Sequence, residues 1–245
     1  MKPNDQTKRF CLSIALLLVA AGFAYGVDIR GRISRTDTRG SSRSEADGGA
    51  VVWLTPLSGE PALSRNSPPS GRRVTLFQKN KRFDPHVLVV EVGSIVNFPN
   101  QDPFFHNVFS LFEGKRFDLG LYEAGETRRV RFDRPGICYI FCNIHSQMSA
   151  VVIVVSTPYF AKTNKSGEFE ILAVTPGRYQ LNVWAERCSP TTLKNLSREL
   201  TISDATAVLG TISVPECREA VNIHQNKYGK SYDPEVFSQP GYIQP

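Results

Sequence analysis

The sequence predicts an all-β protein made of two sandwiches, and three observations predict it. Short runs of period two or of β-branched residues recur along the chain, as in "HVLVVEV", "SIVNF", "RRVRF", "AVVIVV", "GEFEI" and "RYQLNVW", and such runs place one or both faces of a strand inward. Turn signals rich in Gly, Pro, Asn and Asp separate them every 8 to 15 residues or so, roughly the spacing of sandwiches and Greek-key barrels. With 245 residues, 41% of them hydrophobic, the chain can bury one large core or two ordinary ones, and two is the expectation.

Residues 1–26 belong to neither core. Lys2, Lys8 and Arg9 precede an uncharged apolar stretch from Phe10 to Ala24, with small residues suited to cleavage after Ala24 or Gly26, which reads as a secretory signal peptide. The stretch is about 15 residues, short of the ~20 that span a bilayer, so a retained anchor is the lesser alternative. Cys11 opens the stretch instead of closing it, which argues against lipid attachment. No later segment is long and apolar enough to cross a membrane, so no span remains after cleavage. Removing residues 1–24 takes away three basic residues and Asp5, and the net charge falls from +6 to about +4. The Arg residues are scattered, and no basic face interleaved with aromatics appears, which excludes nucleic acid as the expected partner. Export places the chain in the periplasm or outside the cell, where an oxidising compartment permits disulfides. Cys138, Cys142, Cys188 and Cys217 remain after cleavage.

Two stretches, "RTDTRGSSRSEADGG" (35–49) and "LSGEPALSRNSPPSGRR" (57–73), are rich in Ser, Gly, Pro and charge and read as linkers. The tail, residues 215–245, has no sustained period and is expected to lie along a domain surface. Chemistry concentrates in "PGICYIFCNIHSQM" (135–148). A Pro-Gly turn and an aromatic, β-branched run make a strand, and "CNIHSQM" ends it with three soft or borderline ligand types in seven residues. A thiolate and two imidazoles with a weak axial thioether suit copper cycling between its two oxidation states. Cys142, His145 and Met148 supply three of these groups, and the second imidazole must come from another part of the chain. His86, at the start of a strand, and His224, in the irregular tail, read as structural. His106, in "NQDPFFHNVFS", follows the Gly93 turn and the strand "SIVNFPN", is flanked by Phe104, Phe105 and Val108, and completes the set. Zinc accepts Cys and His too, but a thioether is a poor zinc ligand. A metal-free fold is the bland alternative.

The stretch 73–157 resembles a cupredoxin, the blue-copper family of plastocyanin, pseudoazurin and amicyanin, through "FDPHVLVVEVGSIVNFPNQDPFFHNV" and "FDLGLYEAGETRRVRFDRPGICYIFCNIHSQM". The resemblance implies one type 1 (blue) copper, held equatorially by His106, Cys142 and His145 and axially by Met148. It also implies that Asn107 ties the two ligand loops together through hydrogen bonds. The dinuclear copper centre of cytochrome oxidase is the rival, because Cys138 is a second thiol. Its partner thiolate would fall at Ser146, however, and Cys138 lies on the face of Ile140 and Cys142 as a small buried hydrophobe. In cupredoxins the loop histidine reaches the surface while the strand histidine and the thiolate stay buried. This implies that electrons pass through the edge of His145, framed by Phe104, Phe105, Ile144 and Ala150.

From Pro158, "PYFAKTNKSGEFEILAVTPGRYQLNVWAE" resembles the transthyretin-like fold of carboxypeptidase regulatory domains, with Gly167, Pro176 and Gly177 as turn markers and Tyr179, Leu181 and Val183 on one strand face. "DIRGRIS" and "GGAVVWLTP" fit its first strands. The expectation is a discontinuous sandwich of residues 27–57 and 158–214, with the cupredoxin inserted; the alternative is that 27–57 merely extends the cupredoxin. Cys188 and Cys217 are expected to pair and pin the tail, against two free thiols. No His-x-His, GxSxG, P-loop or dinucleotide motif occurs, so no enzyme is expected. The resemblance implies a periplasmic electron carrier between redox partner proteins, of the fused type often labelled methylamine-utilisation proteins. The alternatives are copper storage or delivery, or a cell-envelope interaction module with structural copper; the sequence leaves the oligomeric state open.

Overall fold

The structure, a computed structural model, describes residues 26–36, 42–43, 49–57, 73–111, 114–203, 208–215, 217 and 226–231. The expected leader up to residue 25, most of both linker-like stretches, His224 and most of the tail lie outside the described residues. The chain opens with β1 (Val27–Thr36), β2 (Ser42–Arg43) and β3 (Val51–Pro56). Ten strands follow: β4 (Arg73–Thr75), β5 (Phe77–Lys79), β6 (Arg82–Asp84), β7 (Val87–Glu91), β8 (Ile95–Pro99), β9 (His106–Ser110), β10 (Phe117–Tyr122), β11 (Thr127–Arg131), β12 (Gly136–Phe141) and β13 (Ser149–Val155). The chain then continues through β14 (Phe160–Lys162), β15 (Glu168–Val174), β16 (Gly177–Trp184), helix α1 (Pro190–Leu196), β17 (Arg198–Ile202) and β18 (Val208–Pro215). The protein is all-β, with α1 the one helix among the described residues. No described helix is long and apolar enough to cross a membrane.

Sheets β10-β9-β12-β13-β7 and β11-β8-β4 form the first sandwich. Its core runs from Leu76 through Val96, Phe98, Phe132 and Ile140 to Val154 and includes Cys138, Cys142 and Met148. Sheets β15-β1-β18 and β14-β3-β16-β17 form the second, around Ile29, Val52, Leu54, Ile171, Leu181 and Val214. Strands from before and after the first sandwich pair with one another: β1 with β15 and β18, and β3 with β14 and β16. The first sandwich occupies the interval between β3 and β14. Gly167 seals the second one, because its carbonyl accepts from the Ile33 amide at 2.7 Å and a Cβ there would lie 2.2 Å from the Ile33 oxygen.

A third apolar cluster joins the two. Val51 and Trp184 of the second sandwich pack with Val87, Val151, Ile153 and Val155 of the first. This explains the unbroken run "AVVIVV": Ala150, Val152 and Val154 face the first core, and Val151, Ile153 and Val155 face the joint, so β13 is covered on both sides. Cys188 and Cys217 form a disulfide, fixing the start of the tail to the second sandwich.

Candidate metal centre

Two strand ends build the site. His106 opens β9, opposite Tyr122 of β10, and Cys142 follows directly on β12. The loop after Cys142 closes on itself: the Met148 amide donates to the His145 carbonyl at 3.0 Å, and the Cys142 amide to the Met148 carbonyl at 3.2 Å. Cys142 Sγ then lies 3.8 Å from His106 Nδ1 and 3.6 Å from His145 Nδ1, with the three donor atoms within 4.8 Å of one another. A metal bonded to sulfur at about 2.3 Å and to nitrogen at about 2.05 Å, at angles between tetrahedral and trigonal, needs donor separations of roughly 3.6 to 3.8 Å. Met148 is fully buried in the same core cluster as Cys142. The structure therefore brings His106, Cys142 and His145 together and places Met148 in the core beneath them.

His106 is oriented by a group that the sequence reading missed. Asp102, buried, lies 2.8 Å from His106 Nε2, and as a carboxylate it only accepts. Burial pushes the His106 pKa below its ordinary value despite the carboxylate, so the ring is neutral, Nε2 carries the proton, and the Nδ1 lone pair faces the sulfur. Burial alone would raise the Asp102 carboxyl, but the Lys81 amide, His106 and the Asn80 amide together hold it below the usual carboxylate range. His145 is lowered to about 4, first by burial and then by His106 and Lys81. Burial raises the Cys142 thiol, while backbone amides of Asn107, Ile144 and His145 point to the sulfur and favour the thiolate. A cation at the centre would supply the remaining stabilisation of the thiolate.

Around this centre the structure narrows one expectation and corrects another. The side chain of Asn107 turns to β10, donating to Asp118 Oδ1 at 2.7 Å and to the Gly120 carbonyl at 2.9 Å; only its backbone amide reaches Cys142. A further tie to the ligand loop runs through the tail, where Lys227 Nζ lies 2.8 Å from Asp118 Oδ2 and its amide donates to Asn143 Oδ1 at 2.9 Å. Ala150 is buried, because β13 is covered on both faces, and cannot frame a surface patch. Phe104 does sit at the site, its ring 5.2 Å from that of His106 and 5.7 Å from that of His145. His106 and Cys142 are fully buried and His145 is half-buried. His86 lies at the joint: its Nδ1 is 3.0 Å from the Ser149 carbonyl and its Nε2 is 2.8 Å from Glu186.

Comparison with models of known protein families finds no match, nor does comparison with curated proteins. Solved structures do match parts of the chain. A Cu-containing nitrite reductase from Thermus scotoductus SA-01 is 25% identical over 39% of this chain, with a TM-score of 0.34, and only 25% of the reductase chain is covered. A purple cupredoxin from Nitrosopumilus maritimus is 21% identical over 34% of this chain and 99% of its own, with a TM-score of 0.30. A mutant amicyanin in its reduced state is 17% identical over 42% of this chain and 98% of its own, with a TM-score of 0.32.

Proposed function

We propose that the chain binds one copper ion, which His106, Cys142 and His145 would hold with Met148 as a fourth donor, and carries single electrons between redox partner proteins in the periplasm or outside the cell. What supports the reading is the preassembled donor set: two Nδ1 lone pairs lie 3.8 and 3.6 Å from one buried sulfur, with His106 oriented by Asp102 and the loop of His145 closed by its own backbone hydrogen bonds. A thiolate and a buried thioether select copper over zinc. Copper would supply a one-electron relay between Cu(I) and Cu(II). The protein's part is to hold the ligands still, exclude water from the sulfur and leave His145 as the partly exposed contact. The reading is of a carrier and not of a catalyst, and the Cys188–Cys217 disulfide suits an exported protein.

Loading the full chain with copper tests this. The expected result is an intense blue colour on oxidation, a metal content of one copper per chain and reversible one-electron titration. A chain that stays colourless, or that binds copper but exchanges no electrons, overturns the electron-carrier reading; the second outcome favours copper storage.

A further inference from the structure

The hairpin of β5 and β6 carries three locally unfavourable choices at one spot. Lys79 and Arg82 are direct cross-strand partners, where like charges repel. Lys81 takes a left-handed φ of 55°, which suits Gly, Asn and Asp far better than Lys. Lys115 and Arg128 elsewhere on this sandwich, and Lys227 of the tail against it, each pair with a carboxylate. Among the described residues, none pairs with Lys79, Lys81 or Arg82. The one acidic residue of the hairpin, Asp84, sits at its open end opposite Phe77. Strain and unpaired charge concentrated in this way mark functional positions.

The same hairpin is fastened to the metal centre. The Asp102 carboxylate accepts from the Asn80 amide at 2.6 Å and the Lys81 amide at 2.9 Å, while its Oδ2 also holds His106. Lys81 Nζ lies 5.4 Å from the centroid of the Phe104 ring, the ring that meets His145 edge-on. Asp102 therefore fixes His106 and the turn that carries Lys81 with one side chain.

We propose that this hairpin is a cationic docking element for a carboxylate-rich face of a redox partner protein, holding that face over His145. The inference rests on the electron-carrier reading above. A hairpin bearing three cations, one of which, Lys81, reaches the ring that meets the half-buried His145, matches the small contact, below about 1,200 Å², of a transient redox encounter, and charge steering raises the rate of such encounters. Nucleic acids and anionic membranes engage wider basic surfaces.

The test uses the reduced, copper-loaded full chain and two oxidants of opposite charge, hexacyanoferrate(III) and tris(phenanthroline)cobalt(III), each of which takes one electron per protein. The triple variant Lys79→Gln/Lys81→Asn/Arg82→Gln keeps a residue suited to the left-handed position. It is expected to react about tenfold more slowly with hexacyanoferrate at about 10 mM salt, to react no more slowly with the cobalt complex, and to lose most of the difference at about 200 mM salt. Its visible absorption is expected to match the wild type. Amide NMR shifts of the Cu(I) protein on adding a glutamate-rich peptide are expected at Lys79–Arg82 and His145, and to vanish in the variant. Unchanged hexacyanoferrate kinetics in the variant overturn the docking assignment, as do larger shifts with single-stranded oligonucleotide or phosphatidylglycerol vesicles than with the peptide. A wild type that exchanges electrons with neither oxidant overturns the carrier reading, and the docking element with it.

Discussion

In the second sandwich the core is a stack of aliphatic and aromatic side chains, from Ile29 to Val214. The first sandwich takes Gln78, Asn100, Asp102, His106, Asn107 and Ser110 to 5% exposure or less. Each of these polar groups is costly to bury unless it is paired. Most are: Gln78 with the Tyr122 hydroxyl, Asn100 with the Phe104 and Tyr122 carbonyls, Asp102 with His106, and Asn107 with Asp118 and Gly120. The contrast teaches where the ligands are held. A core that only has to be stable keeps few polar groups, Thr163 among them. One that must aim two imidazoles at a thiol accepts more and pairs most of them locally, leaving Ser110 Oγ, Gln78 Oε1 and Asn107 Oδ1 without a partner among the described residues.

The largest test of that contrast is Cys142→Ser. It is expected to abolish the copper colour and the copper-induced stabilisation, on the order of 4 kcal/mol when free copper is about a thousand times the dissociation constant. The far-ultraviolet spectrum should stay that of a β protein, and a variant that still turns blue breaks the assignment of the sulfur. Next comes Leu181→Ala, in the fully buried centre of the second core. It should cost about 2 to 5 kcal/mol in denaturant unfolding without moving the visible band of the copper-loaded chain. A shifted band would show that the second core shapes the metal centre.

Replacing Cys188 and Cys217 by Ser is expected to cost about 2 to 4 kcal/mol, again with an unchanged visible spectrum. The smallest effects are in pH, and they run in opposite directions at His145 and at the joint. In the metal-free protein His145 titrates at about 4 instead of 6.5, first because of burial. The unfolded chain therefore binds protons first, and stability that is complete above about 6.5 falls as the pH drops from there towards 4. His86 is raised, chiefly by its hydrogen bond to Glu186. Its contribution is complete below about 6.5 and is lost as the pH rises through the raised value. Unfolding midpoints across this range should flatten on the acid side in His145→Gln and on the alkaline side in His86→Gln. An alkaline limb that survives His86→Gln would remove the joint from the explanation.

The strands and the four candidate ligands were legible because their signals are local. Period-two runs specify faces, and Cys142, His145 and Met148 stand within seven residues of one another. His106 was found by elimination among only four histidines. Asp102 was not legible, because nothing in "NQDPFFH" tells which way a loop carboxylate points. Nor was Lys227, whose amide meets Asn143 across 84 residues of sequence, or Glu186, which meets His86 across 100. Ala150 failed for a different reason. It was placed at the rim of His145 by the resemblance, which does not reveal that both faces of β13 are covered.

The two-sided burial of β13 also bears on the order of events as the chain folds. Pairing β3 with β14 joins Trp53 to Phe160, and closing a flexible loop of about a hundred residues costs roughly 4 kcal/mol in chain entropy before any contact rewards it. Once the first sandwich has formed, its strands β4 to β13 are fixed relative to one another. Its last strand already presents Val151, Ile153 and Val155 to Val51 and delivers Phe160 a short step beyond its end. The first sandwich is therefore the template on which the two separated halves of its neighbour meet. In pulsed hydrogen exchange, amides of β9, β12 and β13 should gain protection before those of β3 and β16.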